Sequence, residues 1–237
     1  ESLPQSILAK HKSDPFQIEA LLFGQAGFLQ EIFSDEYPAE LQKEFLFLRH
    51  KYNLQPMNAS EWNFGRLRPS NFPTIRIAQF AALICESEHL FSTILQTEDA
   101  TEISSLFEVE IHEYWMNHFR FDARTQSKFE EEGATSPTKR FNKKLGKDSI
   151  QNILINTIAV SLFSYGKHMG EQFQIDKALK ILEICPPEDN RILENWTKLG
   201  ILQPNAADCQ SLLQLYNVYC SARKCLQCQI GLKLLKN

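Results

Sequence analysis

The chain has 237 residues, 43% of them hydrophobic and 23% charged, and 25 Lys and Arg against 29 Asp and Glu leave a net charge of −4. Nine glycines, ten prolines and six cysteines exclude the collagen-like, disordered and disulfide-dense classes, and the charge gives no global pull toward nucleic acid or membrane. The longest near-continuous apolar stretch, residues 153–163, is interrupted by Asn156, Thr157 and Ser161; a membrane span needs about 20 residues, so this predicts a buried core helix and no membrane partner.

Helical periodicity runs through most of the chain. Asp14 followed by Pro15 is an N-cap with proline at the first helical position, opening a helix to about Phe23. Leu41, Phe45, Leu48 and Tyr52 draw one apolar stripe on a helix starting near Pro38, and Ile77, Phe80, Ala81 and Ile84 do the same after Pro73. Leu90, Phe91, Ile94 and Leu95 mark a short helix, and residues 103–119 another. Asp148 or Ser149 caps a helix carrying Ile150, Ile153, Leu154, Ile158 and Leu162, apolar on most sides and therefore expected at the centre of the core. Asn152 and Asn156 on it are expected to satisfy the backbone of a loop. Residues 172–184 form a helix stopped by Pro186 and Pro187. Ile192, Leu193, Trp196 and Leu199 share a face of the next, ended by Gly200. Asn205 with Asp208 resembles a capping box for the one after. No period-2 run is convincing as a strand.

The fold class is therefore all-α: an irregular multi-helix bundle of about ten helices around a central apolar helix, with two long loops. It reads as one domain over residues 1–237, with any subdivision near 121–147, into 1–120 and 148–237. The chain begins at Glu1 in place of Met, which reads as a boundary within a longer protein, and no secretory leader pattern opens it. Sparse cysteines point to reduced thiols and a cytoplasmic protein.

Catalytic signatures are missing. His112-Glu113 is followed by Met116 where a zinc protease helix needs its second histidine, and His118 comes two residues too late. Gly146-Lys147 lacks the upstream glycine of a P-loop, and neither a nucleophile elbow nor a dinucleotide fingerprint occurs.

Two segments remain as candidate sites. Residues 53–73 carry three prolines and an arginine–aromatic cluster, Trp62, Phe64, Arg66, Arg68, Asn71, Phe72 and, just beyond, Arg76. Guanidinium forks suit carboxylate or phosphate, and Pro69 and Pro73 stiffen the loop that presents them. Arg66, Arg68, Asn71, Arg76 and Trp62 are thus candidate ligand contacts to an anion, possible nucleic-acid binding among them; the competing reading ties the arginines into the fold. A basic run, Lys139, Arg140, Lys143, Lys144 and Lys147, reads as a solvated face, or as a phosphate-binding extension of that loop. Cys220, Cys225 and Cys228 are spaced as in some iron–sulfur proteins, and a C-x2-C pair is half of a zinc site. The preferred reading is core thiols, with Cys225 and Cys228 on a helical face shared with Leu232 and Leu235, and redox chemistry is a further alternative.

Three segments together carry a resemblance: Leu3 to Ser6 with Phe16 to Leu29, the loop from Arg66 through Asn71-Phe72-Pro73 to Arg76, and Tyr219-Cys220 through Cys228 to Gly231. The chain resembles the bacterial family known as domain of unknown function 2851 over its whole length, matching about the C-terminal half of a longer member. The resemblance implies that the arginine loop and the cysteine trio are family hallmarks and that the N-terminal half of the longer parent is a partner. Two functions follow as expectations: a non-catalytic helical binding module whose arginine loop contacts an anion, or a zinc- or iron–sulfur-carrying domain that supports an enzymatic N-terminal half.

Overall fold

The computed structural model describes residues 3–121 and 143–235. Among them are twelve helices and no strand, the all-α bundle that the periodicity predicts, and none of these helices is long and apolar enough to cross a membrane. In chain order they are α1 (Gln5–His11), α2 (Pro15–Gln25), α3 (Glu36–Tyr52), α4 (Pro73–Glu86), α5 (Leu90–Gln96), α6 (Ala100–Ser105) and α7 (Tyr114–Asn117). Then come α8 (residues 147–169, running through a π-helical stretch at Leu154–Ala159), α9 (Gln172–Ile184), α10 (Arg191–Lys198), α11 (Ala206–Leu215) and α12 (Gln229–Leu235). The chain gathers into two compact units, residues 1–93 with 105–146, and residues 94–104 with 147–237.

In the first unit α2 is the spine, packed on α1, α3 and α4. Ile18, Ala20, Leu21 and Phe23 have no exposed surface, as an all-round apolar helix requires. Asp14 caps it as the sequence indicates, its side chain accepting from the N–H groups of Phe16 (3.0 Å) and Gln17 (3.2 Å). At the other end Gly27 turns the chain with a φ of +82°, and a Cβ there would lie 2.4 Å from the Met57 carbonyl oxygen. The Met57 N–H donates to the Gln25 carbonyl at 2.8 Å, so the long loop is laid directly on the end of α2.

The stripe Leu41, Phe45 and Leu48 of α3 is buried as expected. Helix α4 is rotated from the expected face: Ile75, Ala78 and Ala81 point inward while Phe80 is half exposed. Two buried polar anchors set that rotation, Thr74 Oγ1 donating to the Phe119 carbonyl and Gln79 Nε2 donating to the Lys143 carbonyl at 2.7 Å. The single helix expected over 103–119 does not form. α6 ends at Ser105, α7 covers only Tyr114–Asn117, and between them Phe107, Val109 and Ile111 are buried while Glu108, Glu110 and His112 are exposed. That alternation is the period of an extended segment, one that finds no strand partner among the described residues.

In the second unit α8 packs along α9. It buries one stripe, Leu154, Ile155, Ile158, Ala159 and Leu162, and leaves Val160 and Phe163 exposed. The expected centre of the core is thus a helix with one apolar stripe, and the all-round buried helix is α2. Asn152 and Asn156 are exposed and bond each other at 2.6 Å, and among the described residues neither bonds a loop backbone. The last carbonyls of α5 would be orphans; Lys177 Nζ takes those of Ile94 (2.6 Å) and Leu95 (3.1 Å), which lets a lysine side chain be buried. Gly200 is left-handed, and the Asn205 side chain accepts from the Asp208 N–H at 2.9 Å, both as the sequence indicates.

Gly27→Ala should lose about 2–4 kcal/mol, since it combines a left-handed backbone with a backbone clash. Asp14→Ala, which deletes only a cap, should lose about 1 kcal/mol. Equilibrium urea unfolding of both variants tests that order.

Candidate functional site

The arginine loop is ordered and built on aromatic rings. Trp62 donates its indole N–H to the Ala26 carbonyl at 2.8 Å. Its ring meets Phe28 at 5.6 Å, Phe28 meets Phe64 at 5.9 Å, and Phe64 meets Phe72 at 5.2 Å. The Arg120 guanidinium lies over both Phe64 (4.0 Å) and Phe72 (4.7 Å). Arg76, half-buried, donates to Asn71 Oδ1 (2.8 Å) and to Gln79 Oε1 (3.0 Å), and burial pushes its pKa down. Arg66 and Arg68 are exposed, Arg66 in a left-handed conformation with φ +62° after an Asn63 side chain that accepts the Gly65 N–H. The candidates therefore divide. Trp62, Asn71 and Arg76 hold the loop, while Arg66 and Arg68 stand on its outer side.

Of the basic run, Lys139 and Arg140 lie outside the described residues. Lys143 is no solvated cation: it is buried, donates to the His118 carbonyl at 2.7 Å and sits 3.5 Å from the Phe119 ring centroid. Desolvation pushes its pKa down to about 8. Lys144 pairs with Glu110 at 2.9 Å.

The three cysteines follow one another through irregular turns. Cys220 ends a π-helical turn, Cys225 opens a 3-10 turn, and both are exposed; Cys228 is buried just before α12. Slight desolvation, then the Cys228 and Cys225 thiols, push the Cys220 thiol above its ordinary pKa. Among the described residues no group of three or more His, Cys, Asp or Glu side chains is placed to hold a metal ion. Leu235, expected to share a buried face with them, is exposed. Gly231 lets α12 approach this turn, since a Cβ there would lie 2.3 Å from the Cys225 carbonyl oxygen.

A feature that motif reading passes over lies in the first unit. A cavity of about 410 Å³ is bounded by the starts of α2 and α3, the end of α4 and the extended segment at 110–112. Its buried acid is Glu19, only 5% exposed on the apolar spine helix. Tyr37 O–H donates to Glu19 Oε2 at 2.6 Å and Trp115 Nε1–H to the same oxygen at 3.2 Å. Tyr37 lies in a column of rings, stacked on His112 (4.1 Å) and tilted against Tyr114 (4.9 Å), which in turn stacks on His118 (3.9 Å). The His112 Nδ1 accepts the Tyr114 N–H at 3.2 Å, which leaves Nε2 to carry the proton of the neutral ring, and burial lowers the pKa of that ring.

Burial pushes Glu19 up to about 7, against the opposing Tyr37 and Trp115 hydrogen bonds. Burial, then the charges of Glu19, Asp14 and Glu86, raise the half-buried Cys85 thiol to about 11, with Lys12 opposing. The sequence does carry a signal for this site: one carboxylate, Glu19, in the otherwise apolar run Ile18 to Phe23.

A raised carboxyl pKa means that the folded chain holds the Glu19 proton more tightly than the unfolded chain. Its contribution is full below the unfolded value of 4.5 and is lost as pH rises through about 7. At about 1.4 kcal/mol per unit, Glu19→Gln should be more stable than the parent by about 3 kcal/mol near pH 8 and by far less near pH 5. Denaturant unfolding of both proteins at the two pH values measures the difference.

No curated protein and no solved structure matches the chain. The family model described as "Protein of unknown function (DUF2851)" matches residues 1–191. The matched span takes in α2 with Glu19 and the arginine loop and stops before the cysteine trio, so the resemblance read over the whole length holds for those first 191 residues. The chain belongs to the DUF2851 family.

Proposed function

We propose that this DUF2851 chain is a non-catalytic helical binding module whose loop 62–72 contacts an anionic partner, with nucleic-acid phosphate the target. The observation that carries this reading is the exposure of Arg66 and Arg68 on a loop held by its own aromatic packing. Ring contacts and the Trp62 hydrogen bond hold the loop backbone, which reduces the entropic cost of presenting two guanidinium forks to an anion. Trp62 and Phe72 are used in packing and leave no bare ring for base stacking. Arginine contact to phosphate positions a nucleic-acid backbone and carries no sequence information. The N-terminal half of a longer family member is the natural protein partner of the module.

Affinity for a single-stranded oligonucleotide should fall linearly on a log–log plot against salt, with a slope that drops by about 0.7 for each arginine contact removed. Arg66→Ala with Arg68→Ala should weaken binding and flatten that slope, whereas Arg76→Ala should lower stability. Binding by the double variant that equals the parent's at low salt would sink the reading.

A further inference from the structure

We infer that the cavity beside Glu19 is a binding site for a small organic monocation, a primary ammonium on a short apolar body. Both donors that reach Glu19 fall on Oε2; among the described residues Oε1 receives none, and this nearly buried carboxylate lines the cavity. That second oxygen is not sealed from solvent, so a ligand N–H entering the cavity supplies a donor and the counter-charge together. Around it the walls are hydrocarbon and aromatic, Pro15, Phe16, Ala81, Ala82 and the Tyr37 ring, which suits an alkyl or aryl body and adds cation–π attraction.

The field in the cavity selects the sign of the ligand. Asp14 is half-buried at one side, and Glu86 and Glu110 are exposed at its edge. Lys144 pairs with Glu110, partial desolvation lowers the pKa of the His112 ring against the Glu113 charge, and Lys12 is the cation felt at Cys85. Burial first, and then the carboxylates of Glu19, Asp14 and Glu86 against Lys12, raise the Cys85 thiol, so the charges it feels are mostly acidic. An anion is repelled there. A divalent metal lacks a ligand group, since no three candidate ligands converge among the described residues. At about 410 Å³ the space sits at the small end of the roughly 300–1,000 Å³ typical of ligand pockets.

The test uses the full chain and three probes of one shape: 2-phenylethylammonium, the neutral 2-phenylethanol and the anion phenylacetate. Calorimetric titration reports affinity, and mass spectrometry of the Cys85 peptide reports how fast iodoacetamide labels it. The ammonium should bind saturably and shield Cys85, with the alcohol at least about tenfold weaker and phenylacetate inert. Affinity for the ammonium should rise between about pH 5.5 and pH 8 as Glu19 ionises in the presence of Asp14, Glu86, Glu110, His112, Tyr37 and Cys85. Glu19→Gln should lower the affinity about tenfold, and Glu86→Gln, whose amide oxygen can still accept the Glu110 N–H at the exposed edge, about threefold. Equal binding of the alcohol, a lack of saturable protection of Cys85, or unchanged affinity in both variants overturns the inference.

Discussion

A carboxylate placed inside an apolar helix has to be given hydrogen-bond donors, and around Glu19 those donors organise the first unit. Unpaired, its burial would cost several kcal/mol or drive the group to remain protonated. Tyr37 comes from α3 and Trp115 from α7, and both donate to the same oxygen. Each donor is itself fixed by rings, Tyr37 between His112 and Tyr114, Trp115 against Phe23 and Phe121. The polar tie and the aromatic packing are one structure. Two segments, α3 and the stretch 112–121, are drawn to α2, and the raised carboxyl pKa is the cost of that arrangement. The same carboxylate keeps its second oxygen for the cavity.

The arginine loop follows a related logic with the signs reversed. Phe28, Trp62, Phe64 and Phe72 supply cohesion, and Arg120 lies on two of those rings. Guanidinium is weakly hydrated and planar, so it can stack on rings and bond to Asn71 and Gln79 where an ammonium would demand water. Arg76 and Arg120 therefore serve the fold, and the cations left facing outward are Arg66 and Arg68. Gly27 and Gly231, both within the segments that carried the family resemblance, are each placed where backbone approaches too closely for a side chain.

What was legible in the sequence was local. Asp14-Pro15, the α3 stripe, the stop after Ile184 and the Asn205 cap each depend on a few neighbouring residues, and each forms as the pattern requires. What was misread depended on contacts from afar. α4 shows a second apolar row at Phe80, and only Thr74 and Gln79 finding the Phe119 and Lys143 carbonyls decides which row turns inward. The Phe107-to-His112 alternation was present in the sequence, yet its flanks suggested one helix. The candidate site was half legible: motif spacing brought out the arginines, while Glu19 carried no motif because its chemistry comes from desolvation.

The sequence by itself determined the class of fold, the caps that start α2 and α11 and the stops after α9 and α10, the family and the residue types of the arginine loop. These follow from periodicity and backbone stereochemistry, which act over a few residues at a time. Only the tertiary structure decided that α2 and not α8 is the all-round buried helix, that Arg76 is bound while Arg66 and Arg68 are exposed, and that a half-neutralised acid lines a cavity. Each of those depends on burial and on partners tens of residues away. In the local sequence pairing and desolvation leave no motif, only a trace such as the lone Glu19 in the apolar run Ile18 to Phe23.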